Sequence, residues 1–208
     1  MALTGLVLVG FVIMHLLGNL LIFRGPEALN AYAAKLRHLG GLLWMARVIL
    51  LAAVSVHIVM AIILTRENRS ARPIAYAVKR SVQTTYSART MMISGVLLTL
   101  FIGYHLLHFT FRVTHPDISH LSDTLGRHDV YAMVVGSFHD PFLVLGYVAS
   151  MALLCAHLSH GVGSFLQSLG LNNERWLPVV TRAGGILAVL LCAGYASIPV
   201  AILLGWVR

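Results

Sequence analysis

Five long apolar runs constrain this chain more than any other feature of its sequence. Each has roughly the 20 residues that a helix rising 1.5 Å per residue needs to cross a hydrocarbon core about 30 Å thick. Of the 208 residues, 58% are hydrophobic and only 11% are charged, against about 25% charged in soluble domains. We therefore predict an all-α integral membrane protein, a single transmembrane domain over residues 1–208, with spans at about 2–23, 43–64, 91–113, 141–166 and 178–206.

Basic residues in the loops predict the orientation, because Lys and Arg concentrate in cytoplasmic loops. The loop between the second and third runs is basic, with Arg66, Arg69, Arg72, Lys79, Arg80 and Arg89. The next loop holds two arginines against four aspartates. We expect the first of these loops and the amino terminus to be cytoplasmic, although Lys35, Arg37 and Arg47 on the outer side weaken the contrast. The net charge of +8 indicates attraction to membrane lipid or an acidic partner, not nucleic acid.

Histidines are the most informative polar residues. There are eleven, and an ionisable side chain at membrane depth is costly enough to suggest a function. The first four runs each hold one well inside: His15, His57, His105 and His157. From the helical rise, His15 and His105 lie roughly 20 and 21 Å from the inner end of their spans, whereas His57 and His157 lie roughly 11 and 14 Å from it.

Two imidazoles at equal depth on facing helices can bind one haem iron from opposite sides, and helical bundles build such cofactor sites from inward-projecting side chains. Two levels predict two haems b, an outer one held by His15 and His105 and an inner one held by His57 and His157. No Cys-x-x-Cys-His motif occurs, so the haems would lack thioether links. The alternative for any single histidine is a hydrogen bond to a neighbouring helix.

Two further histidines compete for these roles. His108 and His160 each lie three residues beyond a favoured ligand and project about 60° away from it around the helix. They sit roughly 4 to 5 Å off the shared levels, so we favour His105 and His157. His108 and His160 stay alternative ligands, or contacts of haem or quinone. The remaining histidines lie in loops or at the interface, where solvation explains them: His38, His115, His120, His128 and His139.

With these motifs, the chain resembles the cytochrome b558 family, the single-subunit dihaem anchors of succinate dehydrogenase and fumarate reductase. The segments that carry the resemblance are His15-Leu16-Leu17-Gly18-Asn19, Arg24 to Asn30, His57, Gly95 to His105 and His157 to Phe165. Together they extend over nearly the whole chain. The family's short basic segment before the first span has no counterpart in the printed sequence, so contacts from it are not expected.

The resemblance implies that each haem takes one histidine from spans 1 and 3 or from spans 2 and 4. It also implies a quinone-reacting electron-transfer subunit of respiratory complex II, serving the tricarboxylic acid cycle or fumarate respiration. A flavoprotein subunit and an iron–sulfur subunit would bind on the cytoplasmic side of the bacterial inner membrane. This chain would then pass electrons to quinone, often menaquinone in this family, and would bind no dicarboxylate itself. The sequence does not locate the quinone site.

Arginines near the ends of the spans are candidates for pairing with haem propionates. For the inner haem these are Arg89 and Arg182, and for the outer haem Arg24 and Arg112. The alternative for each is an arginine that snorkels to the interface. Two rival functions stay open: the cytochrome b anchor of another respiratory dehydrogenase, such as a hydrogenase or formate dehydrogenase, and a transporter whose histidines relay protons or bind a metal.

Overall fold

The computed structural model describes residues 1–71, 86–168, 170 and 175–208, with the side chains of residues 86–89, 166 and 167 outside that description. This part of the chain is helical and contains no named β-strand. The helices are α1 (Ala2–Asn19), α2 (Pro26–His38), α3 (Gly41–Ser70), α4 (Tyr86–His105), α5 (Pro116–Ser119), α6 (Val130–Ser137), α7 (Pro141–Ser168) and α8 (Leu177–Leu203). A 3-10 turn, Leu20–Arg24, continues α1, and a π-helical turn, Leu106–Thr110, continues α4.

Five helices are long and apolar enough to cross a membrane, which confirms the predicted all-α membrane fold and makes this a multi-pass membrane protein. The spans are Ala2–Arg24, Gly41–Ser70, Thr90–Thr110, Pro141–Phe165 and Leu177–Leu203. Two ends differ from the prediction. The second span continues six residues past 64, because a helix can extend beyond its apolar stretch into water. The third ends at Thr110 instead of 113, since Arg112 has φ +60°, a left-handed conformation that no α-helix continues through.

The apolar runs did not predict the short helices α2, α5 and α6, which lie together at one end of the bundle, here called the capped end. The other end, with the amino terminus and the starts of α4 and α8, is called the open end. Helix α2 begins with Pro26 and Glu27 and ends with basic residues, an order that suits the helix dipole. It packs against α6, and α6 packs against α5.

A buried asparagine joins two of these capping helices. Asn30 of α2 is 1% exposed. Its side-chain amide donates to Asp129 Oδ1 at 3.0 Å, and its Oδ1 accepts from the backbone N–H of Tyr131 at 2.9 Å. The same Asp129 oxygen accepts from the N–H of Ala132 and so caps α6. All polar groups in this contact therefore have partners, which holds α2 on α6.

An exposed ion network adds to the same contact. Arg127 donates to both carboxylate oxygens of Glu27, at 3.0 and 2.6 Å, and to Asp123 at 2.7 Å. The hydrogen bond from Arg127 holds the pKa of Glu27 below its usual value. Because the Glu27 side chain is 73% exposed, water screens this pair and its contribution to stability is small.

The spanning helices pack as two pairs. Helix α1 packs on α3, and α4 packs on α7; contacts of α1 with α7 and of α8 with both join the pairs. None of the 30 residues of α3 is buried. The cores lie between the other helices. One cluster at the capped end includes Ile22, Phe138 and Ile202, and a second, in the middle of the spans, includes Leu16, Leu158 and Leu191.

Two glycines bring α8 close to its neighbours. A Cβ added at Gly184 would lie 2.6 Å from Cγ1 and 2.7 Å from Cβ of Val162 on α7. A Cβ at Gly194 would lie 2.7 Å from Leu16 on α1. Such distances are shorter than packed carbon atoms adopt, so these contacts depend on the missing side chain, as is common where membrane helices cross.

Gly184→Ala is expected to destabilise the α7–α8 contact by about 1–3 kcal/mol, the usual cost of overpacking a close contact. The measurement is thermal unfolding of the purified protein in detergent. Gly185→Ala is a matched control, because a Cβ at Gly185 meets no atom within 4 Å. Equal melting temperatures for the two variants would contradict the close approach of α7 and α8 at this position.

Candidate functional site

The four predicted histidines lie on four different spanning helices. His15 is on α1, His57 on α3, His157 on α7, and His105 is the last residue of α4. All four rings are half-buried. Each helix pair therefore contributes two histidines, one toward the capped end and one toward the open end.

His15 and His105 form a ring pair across the bundle. Their centroids are 5.9 Å apart and their planes meet at 88°. Two imidazoles on opposite sides of one metal ion, each with a nitrogen about 2 Å from it, have centroids about 6 Å apart. The separation of this pair thus suits bis-histidine axial ligation.

The Nδ1 atom of His105 is buried and has no hydrogen-bond partner. A buried polar nitrogen without a partner is rare and requires an explanation, such as a bound ion or cofactor. Among the described residues, no group of three or more His, Cys, Asp or Glu side chains could hold a metal ion. A haem iron needs only two axial ligands from the protein, so a pair of histidines still suits this cofactor.

His57 is held by a hydroxyl group of the adjacent helix. Thr4 donates its only hydroxyl proton to the carbonyl oxygen of Met1 at 2.8 Å, and its oxygen lies 3.1 Å from Nδ1 of His57. The threonine must therefore accept a proton from Nδ1. Consequently Nδ1–H carries the proton and Nε2 of His57 keeps the free lone pair, as a metal ligand requires.

His157 is held in the same way on the other helix pair. Ser94 of α4 donates to the carbonyl oxygen of Met91 at 3.0 Å and lies 3.1 Å from Nδ1 of His157. By the same count of protons, Nδ1 of His157 donates and Nε2 is free. His157 also lies within electrostatic range of His57. Both histidines of this level thus have the tautomer of an axial ligand, set by the protein.

A spacing repeated in α1 and α4 relates the two levels. Thr4-Gly5 precedes His15 and Ser94-Gly95 precedes His105, in each case with eleven residues between hydroxyl and imidazole. Eleven residues are close to three helical turns, so both groups lie on one helix face about 16 Å apart. This exceeds the roughly 7–9 Å difference in depth estimated from the sequence, because hydrogen-bond partners and not helix ends define the levels.

His108, the alternative to His105, has other partners. It is fully buried, with Nδ1 2.9 Å from the hydroxyl of Tyr147 and Nε2 3.0 Å from that of Ser137. Ser137 donates its proton to the carbonyl oxygen of Met133, so it accepts from Nε2–H, and Nδ1 accepts from Tyr147. Neither ring nitrogen of His108 is free to bind iron in this arrangement.

Comparison with family models, curated proteins and solved structures finds no match for this chain. The resemblance to the cytochrome b558 family therefore depends on the histidine motifs alone. The ring pair and the two hydroxyl partners are independent observations, since they come from the geometry of the chain itself.

The other histidines lie away from the two pairs. His160 points along its own helix, where Nε2 lies 3.1 Å from the hydroxyl of Ser164. His115 is 5.1 Å from the ring of His108, and Nδ1 of His128 lies 3.2 Å from the carbonyl oxygen of Leu121. His38, His120 and His139 are exposed. The sequence-based interpretation of the last three as solvated histidines agrees with these positions.

The four candidate propionate partners remain predictions. Arg24 and Arg112 lie at the capped end, toward which His15 and His105 are placed, and Arg182 lies in the second turn of α8 near the open end. Arg24 and Arg182 are exposed. Arg112 reaches the carbonyl oxygen of Ser119 and Nε2 of His128, both at 3.4 Å. The side chain of Arg89 lies outside the described residues.

Several residues around the histidines were not predicted. Tyr195 of α8 has its ring 6.2 Å from that of His15 and donates to the carbonyl oxygen of Val12 at 2.7 Å. Phe11 stacks on His15 at 5.2 Å. Thr4 and Ser94 could have been found from the hydroxyl-glycine pair that each forms eleven residues before a histidine. Tyr195 and Phe11 resemble any other aromatic residue of an apolar run, so no local pattern marks them.

Proposed function

We propose that this chain is the dihaem cytochrome b anchor of a succinate:quinone oxidoreductase or fumarate reductase. The observation that carries the proposal is the pairing of four intramembrane histidines at two levels, one pair in ring contact and the other with both Nδ1 atoms tethered. Four such imidazoles have no purpose in a purely structural bundle, where each would cost free energy. The resemblance of the motifs to the cytochrome b558 family supplies the respiratory complex.

In this proposal His15 and His105 hold one haem and His57 and His157 hold the other. When bound, the haems supply one-electron transfer across the membrane between the iron–sulfur subunit and quinone. The side chains of this chain do the rest. Thr4 and Ser94 orient the two open-end imidazoles, and Tyr195 and Phe11 pack around His15 and exclude lipid from it.

The partner subunits are proposed to bind the open end on the cytoplasmic side, as the basic loop predicts. Arg66 and Arg69 at the end of α3 are exposed and available to acidic groups of an iron–sulfur subunit. The most basic part of this loop, with Arg72, Lys79 and Arg80, lies outside the described residues. This orientation puts the amino terminus inside, in a bacterial cytoplasmic membrane.

Quinone is proposed to bind in a groove of about 330 Å³ between α4 and α7. Phe101, Tyr104, Phe142 and Tyr147 line it, an apolar and aromatic wall with few polar groups, as small-molecule sites usually have. The rings of Phe101 and Tyr147 lie 5.8 and 6.1 Å from that of His105. A quinone here, probably reached from lipid since Phe142 is 82% exposed, would be next to the capped-end pair.

A reduced-minus-oxidised spectrum of the purified protein tests the proposal. We expect the sharp bands of low-spin b-type haem, at about two haems per chain. Co-purification with a flavoprotein and an iron–sulfur subunit, together with succinate-dependent reduction of the haems, would separate this complex from the anchor of another dehydrogenase. Absence of haem bands would contradict the proposal and favour a transporter that uses its histidines for protons.

A further inference from the structure

A basic cleft lies at the capped end, where α2, the start of α3 and the end of the third span meet. Its volume is about 360 Å³. Arg37, Arg47 and Arg112 contribute three positive charges, and Trp44 and Phe109 contribute aromatic walls. The guanidinium carbon of Arg47 lies 4.9 Å from the ring centroid of Trp44, a cation–π contact that holds this arginine on the cleft wall.

The three arginines lie close enough to repel one another. Burial, and then the charges of Arg112 and Arg47, lower the pKa of Arg37. No carboxylate lines the cleft. In the part of the chain that the structure describes, the ion pairs are those of Arg127 with Glu27 and Asp123. The cleft is thus a concentration of positive charge with no acidic partner from the described chain, and an anion there would relieve the repulsion.

The position of the cleft is that of the bilayer surface. Helix α3 begins its span at Gly41 and the third span ends at Thr110, so the arginines lie at the level of lipid headgroups. Trp44 is 64% exposed, as in the aromatic belts of membrane proteins. Below it, α3 exposes Met45, Val48 and Ile49, an apolar face along which acyl chains can lie.

We propose that this cleft binds the phosphate headgroup of an anionic phospholipid, whose acyl chains run along the exposed face of α3. The three guanidinium groups pair with the phosphate oxygens, a geometry to which arginine is well suited. The site is formed by residues outside the two histidine pairs. It therefore stands or fails independently of the proposed haem function.

Native mass spectrometry of the purified protein, with phosphatidylglycerol or phosphatidylcholine added, measures this binding. We expect phosphatidylglycerol to bind more tightly than phosphatidylcholine. Each of Arg37→Gln, Arg47→Gln and Arg112→Gln is expected to weaken phosphatidylglycerol binding about fivefold, and the triple variant about a hundredfold. Arg66→Gln is the matched control for Arg47→Gln, because both residues are exposed on α3 but lie at opposite ends of the span; it should leave binding unchanged.

Three results would overturn the proposal. The first is equal loss of binding in Arg47→Gln and Arg66→Gln, which would indicate diffuse attraction to the membrane. The second is full competition by inorganic phosphate, which would indicate a site for a free anion. The third is unchanged lipid binding with loss of one haem in Arg112→Gln, which would assign this arginine to a propionate. Each single variant removes one exposed or half-exposed charge, so the test does not depend on the triple variant folding.

Discussion

Replacing any one of the four paired histidines with alanine is expected to lower the haem content from about two per chain to about one. His57→Ala and His157→Ala should lose the same haem, and His15→Ala and His105→Ala the other, because each iron loses one of its two axial ligands. Pyridine haemochrome content and the potential of the remaining haem in a redox titration identify which one is lost.

The controls for this series come from the histidines that the structure places elsewhere. His160→Ala removes a ring bonded within its own helix, and His139→Ala removes an exposed ring; both variants should keep two haems. Thr4→Val and Ser94→Val should keep the ligands but weaken the binding of the haem at the open end by about 10- to 100-fold, the usual effect of losing an outer partner of a ligand. Equal haem content in all four alanine variants would contradict the assignment.

The second large effect is expected for His108→Leu, which should destabilise the protein by about 3 kcal/mol. The substitution removes the acceptor of the Tyr147 hydroxyl and the donor to Ser137, and leaving buried polar groups without partners costs about 1–3 kcal/mol each. Thermal unfolding in detergent measures the change. Haem content per folded molecule should stay at two, because both nitrogens of this ring are occupied by hydroxyl groups.

A double-mutant cycle makes this prediction specific. Tyr147→Phe removes the hydroxyl and leaves Nδ1 of His108 without a partner, so it should also destabilise. The double variant should cost less than the sum of the two single variants, since residues that share one hydrogen bond are not independent. Loss of one haem from His108→Leu at unchanged stability would show instead that His108 is an axial ligand.

The sequence determined the membrane fold and the depth of the histidines. Hydropathy and the rise per residue are local properties, so apolar runs of sufficient length predict spans without knowledge of their neighbours. The same reasoning placed His15 and His105 at one level, where the structure has their rings in contact. It did not find α2 and α6, because these helices are short and α2 is not apolar overall; both bury part of their surface only against the capped end.

Tertiary structure decided between His105 and His108. Three residues apart on one helix, the two rings differ by about 60° in direction, and the sequence does not say which direction faces the opposite pair. The choice came from Ser137 and Tyr147, which lie 29 and 39 residues further along the chain and occupy both nitrogens of His108. Hydrogen-bond partners of this kind are brought together only by helix packing, so a property of the single helix cannot reveal them.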